Sequence, residues 1–201
     1  MKKLFPAFLL LFLLALPMRA QSNWEVRPNE ISTSFGLSLI DIAVGQIDRL
    51  NLSYVDPNTG AYTGIRSGGS RGALNIGYTR QLNSVISVGG ALGYNSASIH
   101  GIVYNADFSL ATLNIYSFMG TAKFDWFHTD NEVITMYSKV GLGLMVTQGI
   151  ILQGLLKGAL VLPTFQTSFV CLEAGKDVVY GFLELGVGMQ GIVQAGIRTR
   201  F

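Results

Sequence analysis

Gly191-Ile192-Val193-Gln194-Ala195-Gly196-Ile197-Arg198-Thr199-Arg200-Phe201 ends the sequence, and its two-residue period decides the fold. Counted back from the end, Phe201, Thr199, Ile197, Ala195 and Val193 share one face of a strand, and Arg200, Arg198, Gly196 and Gln194 share the other. One face is apolar and the other polar and cationic. Eleven residues of this period are about what a tilted strand needs to cross a hydrocarbon layer, whereas a spanning helix needs about 20 apolar residues. The pattern predicts a membrane-crossing strand, and a membrane-crossing strand requires a closed barrel.

The opposite end predicts export. Lys2 and Lys3 precede an apolar run from Leu4 to Leu16, and Pro17-Met18-Arg19-Ala20 leads into Gln21-Ser22-Asn23. This reads as a signal peptide over residues 1–20, too short to span as a helix, with Met18 departing from the small residue preferred three positions before a cut. No cysteine follows the cut, which argues against a lipid anchor. Loss of Lys2, Lys3 and Arg19 takes the formal charge from +2 to −1, so no basic patch for nucleic acid remains. Residues 21–29, with Trp24, read as a leader, and 30–201 as one barrel domain.

Composition favours a lipid-facing exterior. Only 13% of the chain is charged, against roughly 25% in soluble domains. A soluble calyx would need a charged outer surface that this chain does not supply. The single Cys171 reads as a small apolar wall residue.

Between the ends, alternation recurs. Ile31, Thr33, Phe35 and Leu37 alternate with Glu30, Ser32, Ser34 and Gly36; Leu74, Ile76 and Tyr78 with Ala73, Asn75, Gly77 and Thr79; Ile86, Val88, Leu92 and Tyr94 with Ser87, Gly89, Ala91, Gly93 and Asn95. Residues 111–126 set Tyr116, Phe118, Ala122, Phe124 and Trp126 against Ser117, Thr121, Lys123 and Asp125. Residues 133–146 set Ile134, Met136, Val140, Leu142 and Leu144 against Thr135, Tyr137, Lys139, Gly141 and Gly143. Residues 164–174 form a strand of ambiguous phase, and 179–189 set Leu183, Leu185, Val187 and Met189 against Tyr180, Phe182, Glu184, Gly186 and Gly188. Long connections are expected at 39–70, 98–110 and 147–162, short ones at 80–84, 127–132 and 175–178, and a very short one near Gln190. Asp56-Pro57-Asn58-Thr59-Gly60 and Gly68-Gly69-Ser70 are turn and loop chemistry, and 40–50 reads as a short helix.

Eight strands, alternating long and short connections, and an amphipathic last strand ending in Phe201 resemble the small eight-stranded outer-membrane barrels of the OmpA and OmpX type. The resemblance is one of architecture over nearly the whole mature chain. It implies an all-β, eight-stranded antiparallel transmembrane barrel in the cell outer membrane, with long extracellular loops and short periplasmic turns. It also implies that Ile197, Thr199 and Phe201 act as an insertion signal read by the barrel-assembly machinery, with outer-membrane lipid as the other partner.

Eight strands enclose an interior that side chains can just fill. The expected inward set is Glu30, Lys123, Asp125, Lys139, Glu184, Arg198 and Arg200, joined by Glu173 if its strand is so phased; charges taken from water must be paired. The lumen glycines at 141, 143, 186 and 188 are expected to leave room for long residues from opposite strands. Two isolated histidines and one cysteine form no metal cluster, and no cofactor is expected. The functional expectation is a structural or loop-mediated interaction role without catalysis, an extracellular ligand or protein engaging the loops. A small-solute or hydrophobic-ligand conduit is the alternative, and a lipid A acyl-modifying enzyme comes third. That enzyme needs a His with Ser and an acidic partner; His100, with Ser98 and Asp107 near it in sequence, and His128 fall at opposite barrel ends, and His100 reads as an exposed loop residue. The apolar stretch 149–162, with Ile150, Ile151, Leu152, Leu155 and Leu156, reads as simple extension of the flanking strands, as a loop folded down over the mouth, or as a docking loop for lipid, ligand or protein.

Overall fold

The computed structural model describes residues 27–50, 52–104, 106–129, 133–151, 156–176 and 178–201, with the side chains of 48, 150, 151, 156 and 157 excepted. The expected signal peptide, most of the leader, and Leu152 and Leu155 lie outside the described residues.

The wall is one antiparallel sheet that closes on itself. Its strands are β1 (Asn29–Leu37), β3 (Tyr62–Gln81), β4 (Ile86–Val103), β5 (Ala106–His128), β6 (Ile134–Ile151), β7 (Leu156–Lys176), β8 (Val179–Gly188) and β9 (Val193–Arg200); a three-residue β2 (Ser53–Val55) lies against β3 outside the ring. Closure comes from β1, which pairs with β9 on one side and β3 on the other. The seam runs to the last residue, where Asn29 and Phe201 exchange backbone hydrogen bonds of 3.1 and 2.9 Å. The eight-stranded barrel architecture implied by the resemblance is the one the chain adopts.

Register gives the stagger. From Ser34 the ladder leads one way through Asn75, Gly93, Ser117 and Met145 to Leu162, and the other way through Gly196 and Phe182 to Glu173. Those endpoints on β7 are eleven residues apart, ten once a bulged Phe169 is set aside. A stagger of this size tilts eight strands by about 40°, which leaves an interior only as wide as side chains can fill.

The bulge resolves the phase ambiguity in β7. On β6 only Ser138 separates Tyr137 from Lys139, yet opposite them Phe169 and Val170 separate Cys171 from Ser168. The Ser138 hydroxyl donates to the Phe169 carbonyl at 2.7 Å and secures the extra residue. Thr164, Gln166 and Ser168 therefore point inward before the bulge, and Cys171 and Glu173 after it. Even and odd positions exchange roles within one strand, which a single alternation cannot express.

The loop expected at 98–110 is paired strand, continuing β4 and β5 as a hairpin with Tyr104 at its tip. At 147–162 the strand-extension reading holds, since β6 and β7 continue with Gly149 opposite Gly158 and Ile151 opposite Leu156. Likewise β3 begins at Tyr62 rather than near Arg71. Only 39–61 holds other structure: helix α1 (Leu39–Gln46), a single 3-10 turn at Ile47–Leu50, β2, and the Asp56–Gly60 turn. Ser38 caps α1 in a reciprocal box with Asp41. At the turn, Asp56 accepts from Asn58 N and Thr59 Oγ1, both at 2.9 Å, and Gly60 takes a φ of 67°.

The barrel has a low side and a high side. Strands β1, β8 and β9 have 9, 10 and 8 residues, whereas β5 has 23 and β7 has 21. Above Gln166 β7 has no ladder partner on its β8 side among the described residues. The upper parts of β3 to β7 thus stand as a sheet above the rim, with residues 156–164 of β7 as an open edge.

Outside, apolar side chains form a continuous belt; Leu142 is 74% exposed and Ile197 59%. Inside, the most buried large side chains are charged or polar: Lys123, Glu30, Glu173, Glu184, Gln166, Gln190, Gln194 and Tyr137. The chain is inverted relative to a water-soluble domain.

Candidate functional site

Three layers fill the lumen. At the base, where Asn29 pairs with Phe201, four strands contribute charge. Glu30 of β1 meets Lys123 Nζ at 3.3 Å, Arg200 Nε at 3.0 Å and Arg198 Nε at 3.4 Å. Glu173 of β7 pairs with both Arg198 and Arg200. Lys123 also lies 3.4 Å from Asp125. Tyr137 is fully buried among them, with Lys123 and Arg198 over its ring at 4.9 and 5.0 Å. The bulge contributes here, because without the phase change Glu173 would face outward.

The middle layer centres on Glu184 of β8. Its carboxylate pairs with Lys139 at 2.5 Å and accepts from Tyr137 at 2.8 Å, Ser168 at 3.0 Å and Gln194 at 2.7 Å. Above it, the short β8–β9 turn is tied inward. Gln166 accepts from Gln190 N and donates to Gly191 O, both at 3.0 Å, while Asn75 Nδ2 donates to Gln190 O at 2.9 Å. Between these layers a cavity of about 30 Å³ touches Lys123, Lys139, Arg198, Asn75 and Gln190, space for one or two waters.

Helix α1 covers the mouth. Asn95 donates to Ser38 Oγ at 2.7 Å and to the Asp41 carboxylate at 3.2 Å, and Ser70 also binds Asp41. Val44 is the buried residue of this helix.

The structure therefore places Glu30, Lys123, Asp125, Lys139, Glu184, Arg198 and Arg200 in one lumen with Glu173, four anions against four cations. Tyr137, Gln166 and Gln190 were not singled out in the sequence. Alternation put Tyr137 inward, but its hub position depends on register between non-neighbouring strands. Ser38-x-x-Asp41 was readable as a capping pattern. The glycine expectation needs correction: a side chain at Gly143 or Gly186 would run into the carbonyl of Phe118 or Thr167 on the neighbouring strand. Close backbone approach in a strongly coiled wall is the constraint at those two positions, whereas a Cβ at Gly141 would meet the Thr121 and Gln166 side chains.

Ile197 and Phe201 lie on the outer face with Thr199 between them. Ile150, Ile151 and Leu156 are strand residues at the tip of the β6–β7 extension. His128, at the base, meets Thr135 Oγ1 at 2.9 Å. His100 is far from it on the protruding sheet, its Nδ1 3.1 Å from Asp107 Oδ1, while Arg66 holds the other oxygen of that carboxylate. Hydrogen bonding from His100, with Arg66 and its own charge adding, lowers the Asp107 pKa below the ordinary carboxylate value. Among the described residues no three metal-binding side chains converge.

Fold and interior together define a small closed barrel with a charge-paired core and an apolar exterior. No protein-family model matches the chain, and no curated protein matches it. Among solved structures it is similar to Ail, the attachment invasion locus protein of Yersinia pestis, at 12% identity over 87% of this chain and 95% of that one, with a TM-score of 0.38. A likeness that distant adds nothing to what the ladder register already establishes.

Proposed function

We propose that the chain is an integral outer-membrane barrel whose role is exercised by the sheet above its rim, through contact with an external ligand or protein, rather than by passage through its lumen. The observation that carries this reading is the inversion of the molecule: a belt of exposed Leu, Ile, Val and Phe around a core in which every assigned charge meets an opposite one. Lipid is the solvent that suits such a surface. The belt includes Ile197 and Phe201, consistent with their proposed use by the assembly machinery and with an exported precursor.

The lumen is a poor conduit, since Lys123 of β5 reaches across it to Glu30 of β1 and the paired charges of Glu173, Glu184, Arg198 and Lys139 crowd the space around them. The protruding sheet is a better candidate for contact. Its open β7 edge carries Leu160 and Leu162 exposed, and an unpaired apolar edge is a surface on which another chain or ligand can settle.

Planar-bilayer conductance of the refolded protein, first shown to migrate as a compact barrel without boiling, tests the reading. A silent bilayer is expected. Discrete openings that change when Lys139 or Glu184 is neutralised would make the conduit the leading function.

A further inference from the structure

The sheet above the rim carries a second constellation, outside the lumen network. On β4, Asn95 and Ala97 are buried inward while Tyr94 is exposed, so Ser98 and His100 share the outward face with Tyr94. Ladder pairing puts Arg66 of β3 opposite His100, and Asp107 of β5 opposite Ile102, on that same face. The hairpin thus assembles Ser98, His100, Asp107 and Arg66 from three strands.

Their geometry follows an order of roles. His100 Nδ1 lies 3.1 Å from Asp107 Oδ1, and Arg66 holds Oδ2. An imidazole whose Nδ1 donates to a carboxylate presents Nε2 as its proton acceptor. That nitrogen and Ser98 Oγ flank one point in space: a Cβ built on Gly68 would lie 2.8 Å from the first and 2.5 Å from the second. Gly68 is the residue that the β3–β4 ladder skips, between Ser67 opposite Ile99 and Gly69 opposite Ser98. Its lack of a side chain keeps the space between hydroxyl and imidazole open. Ser98 Oγ donates to Gly69 O at 3.4 Å, too long a bond to hold it against a better acceptor. His100 and Asp107 have side chains 33% and 41% exposed, so a substrate can reach them.

We infer that Ser98, His100 and Asp107 form an ester-cleaving site whose substrate is a carboxylic ester of a lipid in the surrounding leaflet. Ser98 Oγ attacks the ester carbonyl carbon while its proton passes to His100 Nε2. The carbon–oxygen bond to the alcohol breaks, and the departing alkoxide takes that proton. Water then attacks the acyl-serine, again giving a proton to His100, which returns it to Ser98 Oγ as the carboxylic acid leaves. Asp107, fixed by Arg66, is a positioning residue that holds the imidazole in the working tautomer. Location argues for a lipid ester. The outward apolar belt on β4 and β5 ends at the Tyr94–Tyr116 ring pair, and Ser98 lies four residues further along β4, roughly 10 Å higher on a tilted strand. Lipid head groups fill about the first 5–8 Å above the belt's edge, so the site stands over the head-group layer and takes the ester of a lipid that rises out of the leaflet beneath it.

The lipid assignment rests on the membrane reading above; the chemistry does not. In detergent micelles, a fluorophosphonate probe followed by peptide mass spectrometry should place an adduct on Ser98, and p-nitrophenyl butyrate should be hydrolysed. Ser98→Ala should remove both, His100→Gln should slow hydrolysis by about 100-fold or more, and Gly68→Ala should block it by filling the gap. Asp107→Asn should lower kcat with KM unchanged, a split that mere loosening of the hairpin would not give. Each variant is first shown to migrate as a compact barrel. An unlabelled Ser98, or hydrolysis equal in wild type and Ser98→Ala, overturns the site. Vesicles of ester-linked phospholipid containing the inserted protein should release free fatty acid in a Ser98-dependent way; micellar activity without that release overturns the lipid assignment. Failure to insert into vesicles would count against the membrane reading alone.

Discussion

Glu184 is the residue on which most of the interior depends. Four groups from three other strands converge on one buried carboxylate: Lys139, Tyr137, Ser168 and Gln194. Glu184→Gln keeps the shape but leaves Lys139 without its counter-ion, and an unpaired buried charge costs about 3–5 kcal/mol. Urea unfolding from lipid vesicles should show that loss. Adding Lys139→Met to the same chain should recover most of it, because removing both charges removes the penalty that either removal creates. The exposed Asp107 gives a pH expectation of opposite locale. Its folded pKa is depressed, so the His100–Asp107 contact stabilises the hairpin above the ordinary carboxylate value and is lost as pH falls through the lowered one. The Asp107 side-chain carboxyl carbon shift should therefore keep its ionised value down to about pH 4 and move only below it.

At the scale of elements, β7 holds the most instructive irregularity. Deleting Phe169 would leave Ser168 inward, Val170 outward and Cys171 inward, a regular strand that keeps Glu173 beside Arg198 and Arg200. Deleting Thr167 instead would turn Ser168 outward and drive Phe169 into the lumen. The first variant should still migrate as a compact barrel without boiling, and the second should not. Seven wall strands were legible from alternation because a half-lipid, half-lumen environment imposes one period on the sequence. In β7 two in-phase halves are joined out of phase, and the signal cancels. The tips of β4 and β5 were missed for another reason. Above the belt both faces of a strand meet water or the mouth, so alternation fades although the ladder continues; residues 98–110 read as a loop, and for 149–162 strand extension was one of the readings left open and is the one the ladder takes. Helix α1 was readable through its turn-forming surroundings, but its anchorage to Asn95 and Ser70 was not, since those residues are distant in sequence. Asp41→Ala removes the Asp41 side-chain half of the box, the Ser70 anchor and the weaker of the two Asn95 bonds, leaving Asn95 on Ser38 Oγ; a cap alone is worth about 0.5–2 kcal/mol. Hydrogen exchange should quicken in α1 while the wall amides keep their protection.

For the whole molecule, inside-out polarity separates a membrane barrel from a soluble one, and one substitution can tell them apart. Val140 lies on the outer face of β6, between Lys139 of the lumen network and the lumen-facing Gly141, near the middle of the apolar belt. Its neighbours across the ladders are Ala122 and Thr167, so an added side chain meets no bulky partner there. In a soluble barrel Val140→Arg would place a cation in water on an exposed strand, with an effect within about 0.5 kcal/mol. In a lipid-embedded barrel the same change places it in hydrocarbon near midplane, at about 2–4 kcal/mol. Refolding into vesicles and titrating with urea measures the difference directly, and a loss in that range is expected. The same Arg at Leu37, near the upper edge of the belt, should cost about 1 kcal/mol or less. A gradient falling from Val140 toward Leu37 would arise from depth in a membrane rather than from disturbed packing, because both side chains stand exposed on the outer face and neither makes an interior contact. Equal costs at the two sites would remove the lipid from the explanation, and with it the reason for the apolar belt.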